Sequence, residues 1–217
     1  MPHAQPRIGR RQFLQQSAAL GGVMLLGFQL NDAAAADHAG SAPSHPEVTH
    51  WIVIEPDDTV IIRIARSEMG QGTFTGLAQL VAEELECDWS KVRPEYADVN
   101  MHVRRKRIFK DMSTGGSRGI RDSHEYVRRA GAAAREMLIA AAAAQWNVPV
   151  AECRAAASVV SHPSGKRLRY GELAVAASQL PVPAEPVLKL PAQWSVIGTS
   201  PARFDIPAKV NGSQLYA

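Results

Sequence analysis

The feature that most constrains the fold is a long helical pattern that runs from Ser123 to Trp146. The segment is rich in alanine, and apolar residues recur along one side at helical spacing. These residues are Val127, Ala130, Ala134, Met137, Leu138 and Ala141. An apolar side of this length has to be covered. We therefore expect it to pack against the rest of this chain or against further domains.

The other patterns between residues 50 and 179 mix strands with helices. They predict a hairpin of 51–54 with 60–64, a helix over 73–85, a strand over 92–97, a second hairpin of 158–160 with 168–170, and a short helix over 172–178. This order predicts an α+β, or mixed α/β, fold. From residue 180 to residue 217 the chain carries six prolines, which predicts an extended linker rather than a domain.

The first 36 residues have the order of parts of an export signal. Arg10 and Arg11 precede an apolar run of 13 residues, Ala18–Leu30, and the small residues Ala34–Ala36 follow it. This order resembles a bacterial twin-arginine signal with its cleavage site. The run is shorter than the roughly 20 residues that span a bilayer. The alternative is an ordinary buried helix. The arginine pair before the apolar run and the alanines after it disfavour this alternative.

Residues 37–49 are rich in Ala, Ser, Pro and His, which predicts a flexible leader. His38, His45 and His50 share no helix face or strand face, so we expect solvated loop histidines rather than a metal site. The two cysteines of the chain do not have zinc-ligand spacing either. The sequence thus assigns no metal ligand.

The charge balance does not favour a nucleic-acid partner. The chain has 24 Lys and Arg against 21 Asp and Glu, a net charge of +3. The predicted signal holds three arginines and one aspartate, so the chain without it has a net charge of +1. A small excess of this kind, with only 6% aromatic residues, does not indicate a general affinity for nucleic acid.

A first glycine loop, Gly70-Gln71-Gly72, follows a predicted strand and opens a predicted helix. Glycines there allow a ligand to approach the backbone, and a helix N-terminus offers N–H donors and a positive dipole end. The Gln71 amide can both donate and accept, which suits the edge of a heterocycle. The alternative is a tight turn between strand and helix.

A second glycine loop, Thr114–Gly119, precedes the long helix. Its hydroxyls, its amides and Arg118 are suited to a phosphate or pyrophosphate. Upstream, five positive charges at residues 104–107 and 110 either add to this site or form a solvated face. Two such loops in one small domain indicate an extended anionic cofactor.

Five ordered motifs resemble the molybdopterin-binding segment of the molybdenum hydroxylases. They are Glu68–Thr73, Leu80–Leu85, Thr114–Ser117, Arg129–Arg135 and Asp205–Gly212. Within that superfamily, the sequence most resembles the large (beta) subunit of isoquinoline 1-oxidoreductase and related exported aldehyde dehydrogenases. The motif at 205–212 resembles the entry into the hammerhead domain of this family.

The resemblance implies a cofactor and a reaction. The cofactor is molybdopterin cytosine dinucleotide, with Gly70, Gln71 and Gly72 at the pterin side. Its phosphate or dinucleotide end contacts a second set, Thr114, Gly115, Gly116, Ser117 and Arg118. The family oxidises aldehydes or N-heterocycles with a water-derived oxygen and passes electrons to iron–sulfur clusters on a small partner subunit.

The resemblance also implies where such a protein works and how it reaches that place. A folded, cofactor-loaded complex is carried by the twin-arginine translocation machinery to the periplasm, where it is either free or associated with the inner membrane.

The chain also departs from the family, whose large subunits are several times longer and carry a catalytic glutamate in a Gly-x-Gly-Glu motif. No such motif occurs here. We therefore expect an N-terminal piece of a large subunit that needs the remainder, ends just inside the hammerhead domain, contains no catalytic residue and is inactive alone.

Two alternatives to an enzyme part stay open. One is a non-catalytic periplasmic module that binds an anion or nucleotide or assists assembly. The other is a nicotinamide dinucleotide domain. Its ribose-binding acid would be Asp98, which lies 26 residues past Gly72, where about 20 is usual.

Overall fold

A computed structural model describes residues 46–214 of the chain. The predicted export signal and most of the predicted leader lie outside the described residues. Within residues 46–214, no helix is both long enough and apolar enough to cross a membrane.

A four-stranded sheet forms one layer of the domain. Its strands lie in the order β1 (Glu47–Thr49), β2 (Ile52–Ile54), β3 (Val60–Ile64) and β4 (Val92–Tyr96). The first three pair antiparallel, and β4 pairs parallel with β3. The predicted first hairpin is confirmed by this pairing. The predicted leader over 37–49 is wrong at its end, because Val48 and Thr49 are buried in the added strand β1.

The parallel pair of β3 and β4 is connected by helix α1 (Thr73–Leu85), as the apolar stripe predicts. Two short helices that the sequence did not predict follow, α2 (Val99–Arg104) and α3 (Arg118–Arg121). Asp98 caps α2, where its Oδ1 accepts hydrogen bonds from the N–H groups of Asn100 and Met101. This capping role accounts for Asp98 in the structure without a ribose ligand.

The long helix α4 (His124–Trp146) packs across α1 at a glycine. A Cβ added at Gly131 would lie 2.5 Å from the carbonyl oxygen of Val81 and 3.0 Å from the Cβ of Glu84, so the two helix backbones are in close contact there. Val127, Met137 and Leu138 of α4 are buried in the single core. The apolar side of α4 is therefore covered by this chain.

The second predicted hairpin is confirmed and gains a strand. Strands β5 (Arg154–Ala156), β6 (Val159–Ser161) and β7 (Arg167–Arg169) form an antiparallel three-stranded sheet. Helix α5 (Tyr170–Ser178) follows directly, two residues earlier than the pattern predicts. Strands and helices in this order confirm the mixed α/β fold.

The proline-rich segment after residue 180 contains no strand among the described residues, and its regular structure is a 3₁₀ turn at Pro191–Gln193 and helix α6 (Ile206–Val210). Unlike a free linker, it is fixed to the domain by two buried carboxylates of α1. The Glu83 carboxylate accepts hydrogen bonds from the N–H groups of Ser195, Val196 and Ile197 at 2.6–2.9 Å. It also accepts one from the Lys189 ammonium. We call residues 184–197 the strap.

The second carboxylate, Glu84, joins the strap to α4. It is fully buried and accepts two hydrogen bonds from the Arg128 guanidinium, at 2.8 and 2.5 Å, and one from the N–H of Lys189 at 3.0 Å. Arg135 lies 3.6 Å from the same carboxylate. Two motifs of the family resemblance, at 80–85 and 129–135, are thus explained by helix packing and strap attachment.

Candidate cofactor site

The two glycine loops meet in one cleft of about 370 Å³, which we call the glycine-loop cleft. It is lined by Met69, Gln71, Thr73, Thr114, Gly115, Gly116, Ser117, Arg118, Gly119 and Ile120. The sequence predicted that the loops would act together, and the structure brings most of the predicted residues to this cleft. Gly70 and Gly72 are not among its lining residues.

A buried arginine holds the two loops together. Arg66, at the end of β3, is 1% exposed. Its guanidinium donates to the Ser123 hydroxyl at 3.0 Å, to the Asp111 carboxylate at 3.1 Å and to the carbonyl oxygen of Ser113. One further hydrogen bond, from the N–H of Ser67 to the Thr114 hydroxyl at 2.8 Å, joins the loops directly. Nothing near Arg66 in the sequence distinguishes it from a surface arginine, so the local pattern does not indicate this role.

The second loop presents unused backbone donors to the cleft. Among the described residues, nothing accepts a hydrogen bond from the N–H groups of Gly115, Gly116 and Ser117. Gly116 and Ser117 have positive φ angles of 55° and 56°, and a Cβ at Gly115 would meet nothing within 4 Å. Successive free N–H groups in an open turn are suited to an anion. The predicted anion-binding character of this loop therefore has a geometric basis.

Arg118 lies beside these donors, but its charge is partly balanced. Its guanidinium donates to the Gly115 carbonyl oxygen at 3.3 Å and to the Ser113 hydroxyl at 3.0 Å, and it lies 3.4 Å from Asp111. The N–H and hydroxyl of Ser113, followed by Arg66, lower the pKa of Asp111 to about 2. Asp111 therefore stays ionised at neutral pH and fixes the position of Arg118.

The first loop differs from its prediction, because its N–H donors are already used. Glu68 accepts hydrogen bonds from the N–H groups of Gly70, Gly72 and Phe74, at 2.7, 3.0 and 3.0 Å. Burial raises the pKa of Glu68, but these N–H groups more than offset that effect and leave it below its ordinary value. The N-terminus of α1 therefore holds its own carboxylate, and no anion is expected there. The sequence signal for this arrangement is a glutamate four residues before Gly72, whose carboxylate can accept hydrogen bonds from the loop.

Gln71 contributes the polar group of the first loop. Its Oε1 accepts from the N–H of Met69, and its Nε2 donates to the carbonyl oxygen of Ser67 at 2.8 Å. A glutamine amide has two donor hydrogens and two acceptor lone pairs, so one of each is left for a ligand. The Met69 side chain beside it is 69% exposed and adds an apolar surface to the cleft. This arrangement is compatible with a flat heterocycle.

A clamp from the far end of the chain holds the first loop. Arg203 donates to the Gly70 carbonyl oxygen and to the Glu68 carboxylate, both at 3.1 Å. Arg203 is itself bound by the buried Asp205 at 2.7 Å, and Asp205 also accepts from Lys209. The motif at 205–212 contributes to the family resemblance, but its spacing in the sequence does not indicate that this part of the chain contacts the first loop.

The predicted basic run lies elsewhere. None of residues 104–110 lines the glycine-loop cleft. Arg105 instead pairs with Glu47 at 2.7 Å. His50, which was expected to be solvated, is half-buried, and burial lowers its pKa. His38 and His45 lie outside the described residues.

The cleft fits the anionic end of a molybdopterin and contains no protein ligand set for the metal itself. No group of three His, Cys, Asp or Glu side chains within residues 46–214 could hold a metal ion. The free N–H groups of 115–117 and the open space at Gly115 would accept a phosphate or pyrophosphate group. Gln71 and Met69 would face the flat part of the same group. The glycine-loop cleft is thus the candidate site for an anionic cofactor.

Comparison with known proteins agrees with this class. The family model of the molybdopterin cofactor-binding domain matches residues 22–207. The chain is 33% identical over 98% of its length to the membrane-bound aldehyde dehydrogenase [pyrroloquinoline-quinone] of Gluconacetobacter polyoxogenes, and 32% identical over 97% of its length to the beta subunit of isoquinoline 1-oxidoreductase of Brevundimonas diminuta. It is 28% identical over its whole length to a nicotinate dehydrogenase subunit of Pseudomonas putida.

The chain belongs to the molybdenum hydroxylase family and carries a molybdopterin cofactor-binding domain. It spans 28%, 31% and 18% of the lengths of these three relatives, respectively. Among solved structures, quinoline 2-oxidoreductase from Pseudomonas putida 86 matches with a TM-score of 0.44 and 19% identity, over 60% of this chain and 16% of the other.

Proposed function

We propose that the glycine-loop cleft binds the dinucleotide form of molybdopterin, with the pyrophosphate at Gly115, Gly116 and Ser117. The observation that carries this proposal is the set of three consecutive N–H groups that have no described partner and belong to residues lining an open cleft. Arg118 adds a positive charge at the edge of this turn. A buried or half-buried phosphate that receives several N–H donors needs few further contacts.

The residues of this chain bind and orient the cofactor rather than react. When bound, the cofactor supplies the molybdenum that places a water-derived oxygen on the substrate and accepts its electrons. Gln71 donates and accepts one hydrogen bond each at the edge of the pterin, and Arg203 fixes the loop that carries Gln71. Arg66 sets the distance between this loop and the phosphate-binding turn.

We further propose that the complete protein is a large subunit that acts in the periplasm. Its cofactor is the cytosine dinucleotide, its substrates are aldehydes or N-heterocycles, and its electrons pass to a small iron–sulfur subunit. Support comes from the relatives, two of which are named as subunits of such oxidoreductases. The twin-arginine pattern at residues 10–11 supports export of the folded, loaded protein.

The binding proposal is tested by cofactor content after co-expression with the remainder of the large subunit. Molybdenum is measured by mass spectrometry, and the nucleotide released by acid is identified by chromatography. Gly116→Asp places a carboxylate among the phosphate donors, and we expect at least a tenfold loss of both signals. Gln71→Ala is expected to cause a smaller loss.

Gly165→Asp is the matched control. Gly165 also has a positive φ and open space at its Cβ, but it lies in the β6–β7 turn. Wild-type molybdenum content in Gly116→Asp, or an equal loss in both aspartate variants, would contradict the proposed phosphate site. Release of a nucleotide other than cytidine monophosphate would contradict the cytosine form.

Export is tested separately by cell fractionation of an Arg10→Lys, Arg11→Lys double variant. Twin-arginine transport requires the arginine pair, so we expect the precursor to accumulate in the cytoplasm. Unchanged delivery of the double variant to the periplasm would rule out this route.

A further inference from the structure

The basic run that the cofactor cleft does not use lines a second cleft of about 430 Å³. We call it the basic cleft. It lies between the loop at 106–110, the beginning of α4 and the segment 182–186. Its cationic lining residues are Lys106, Arg107, Lys110 and Arg129, and no acidic side chain lines it among the described residues.

Three of these cations are without partners. The side chains of Lys106, Arg107 and Lys110 form no hydrogen bond or ion pair with any residue in the described part of the chain. In contrast, Arg129 donates to the Ala184 carbonyl oxygen at 2.7 Å, pairs with Glu185 at 2.9 Å and lies 3.8 Å from the Glu125 carboxylate. The Glu185 carboxylate is therefore already paired with Arg129. The basic cleft has a surplus of positive charge that the described chain does not neutralise.

The loop that carries these three charges has an unusual backbone conformation. Lys106, Arg107 and Lys110 all adopt positive φ angles, of 57°, 61° and 60°. The N–H of Arg107 donates to the carbonyl oxygen of His102 at 2.6 Å, which holds the turn closed. Left-handed backbone at three long, like-charged residues is unfavourable by itself, and such outliers cluster at ligand-binding positions.

The floor of the basic cleft is apolar and aromatic. Trp51 and Tyr126 lie with ring centroids 5.3 Å apart, and the small residues Ala130 and Ala133 leave space beside them. Thr49 also lines the cleft, and its buried Oγ1 has no hydrogen-bond partner among the described residues. A cleft of this volume with an apolar floor and a few polar groups has the character of a small-molecule site.

We propose that the basic cleft binds a small organic anion, distinct from the molybdopterin, that carries a carboxylate or phosphate on a flat apolar body. The anionic group lies against Lys106, Arg107 and Lys110. The body lies on the aromatic floor formed by Trp51 and Tyr126. A free inorganic anion uses the cations alone, so it binds more weakly than an anion with an aromatic body.

The test is calorimetric titration of the full chain with phenyl phosphate, benzoate and inorganic phosphate. We expect one of the two aromatic anions to bind at least tenfold more tightly than inorganic phosphate. The Arg107→Gly and Lys110→Gly variants remove charge and suit a positive φ, so they are not expected to unfold the loop. Each is expected to weaken the binding about tenfold, and higher salt weakens it further.

Two controls separate this site from other cations and from the cofactor site. Arg167→Gln removes an exposed cation on β7, and Gly116→Asp alters the glycine-loop cleft; neither is expected to change the affinity for the aromatic anion. If Arg167→Gln weakened the binding as much as Arg107→Gly or Lys110→Gly does, the binding would be general charge attraction and the proposal would be overturned. Equal affinity for all three probes, or binding of polyglutamate but of no small probe, would also overturn it. Loss of binding in Gly116→Asp alone would assign the anion to the cofactor cleft.

Discussion

The strongest prediction concerns Glu84, the buried carboxylate that joins α1, α4 and the strap. Glu84→Gln keeps the shape of the side chain and removes its charge. The Arg128 guanidinium, 11% exposed, would then stay buried without its counter-ion, and Arg135 would lose the carboxylate that lies 3.6 Å from it. The strap would also lose a carboxylate acceptor for the N–H of Lys189.

The expected magnitude follows from this burial. Removing one partner of a buried ion pair costs about 3–5 kcal/mol, because the remaining charge is left uncompensated. Glu84 accepts three hydrogen bonds from charged or backbone donors, at 2.5, 2.8 and 3.0 Å, so the upper part of this range is expected. A domain of this size has a free energy of unfolding of about 5–15 kcal/mol. The substitution therefore removes about a quarter or more of its stability.

The assay is urea unfolding of the 217-residue chain, followed by circular dichroism. Glu125→Gln is the matched control, because Glu125 also faces an arginine of α4 but is 79% exposed, with 3.8 Å between the charged groups. Its effect is expected to stay within about 0.5 kcal/mol. If Glu84→Gln lowers the free energy of unfolding no more than Glu125→Gln does, the assignment of the strap attachment to this carboxylate is wrong.

Three further predictions address pH, packing and the first loop. Burial raises the pKa of Glu83, but the Lys189 ammonium and the strap N–H groups lower it below its ordinary value of 4.5. The stabilisation from Glu83 is therefore complete above that pH and is lost as the pH falls through the lowered pKa. The deficit of Glu83→Gln in urea unfolding should stay constant from about pH 7 to about pH 5 and shrink towards about pH 3, and a deficit that is still unchanged at about pH 3 would contradict this. Gly131→Ala places a Cβ 2.5 Å from a carbonyl oxygen of α1 and should lower the free energy of unfolding by about 1–3 kcal/mol. Gly115→Ala is the control: its Cβ would have no atom within 4 Å, so its stability should be unchanged. Equal effects of the two substitutions would refute the close crossing of α1 and α4. Arg203→Gln should speed hydrogen exchange at the Gly70 N–H, because the first loop loses its clamp, and an unchanged rate would show that Glu68 alone holds the loop.

Local patterns were sufficient for most of the fold. The period of apolar residues over 73–85 and 124–146 predicted both long helices, because each helix buries one stripe. The first hairpin followed from β-branched runs around a turn. β1 was missed because a three-residue strand carries too little pattern, and its burial depends on pairing with β2. Nothing in the local pattern indicated that the proline-rich segment after residue 180 would be bound to α1.

The site was predictable in part. Residues 114–118 were predicted to bind the cofactor from their glycines and hydroxyls. They line one cleft together with Gln71, and their binding of the cofactor stays a prediction. The N–H donors of the first loop were predicted to bind a ligand, but the Glu68 carboxylate accepts their hydrogen bonds. A pattern of glycines does not show which side chain will bind the loop. Arg66 and Arg203 were missed because their partners lie 45–57 and 133–135 residues away along the chain. The basic run was expected either to add to this site or to form a solvated face. Residues 104–107 and 110 are exposed and do not line the glycine-loop cleft, because closeness in sequence to Thr114 did not mean closeness in space.

The clamp on the first loop has a consequence for the order of events in the cell. The Arg203 guanidinium that holds Gly70 and Glu68 comes from the last part of the described chain. During synthesis, the first loop therefore leaves the ribosome well over a hundred residues before the group that fixes it. The cleft reaches its final form only after translation has passed Asp205 and the segment has folded back. A ligand that needs the finished cleft can therefore bind only after Arg203 and Asp205 have been synthesised, and a ribosome stalled before this point would display the first loop without its clamp.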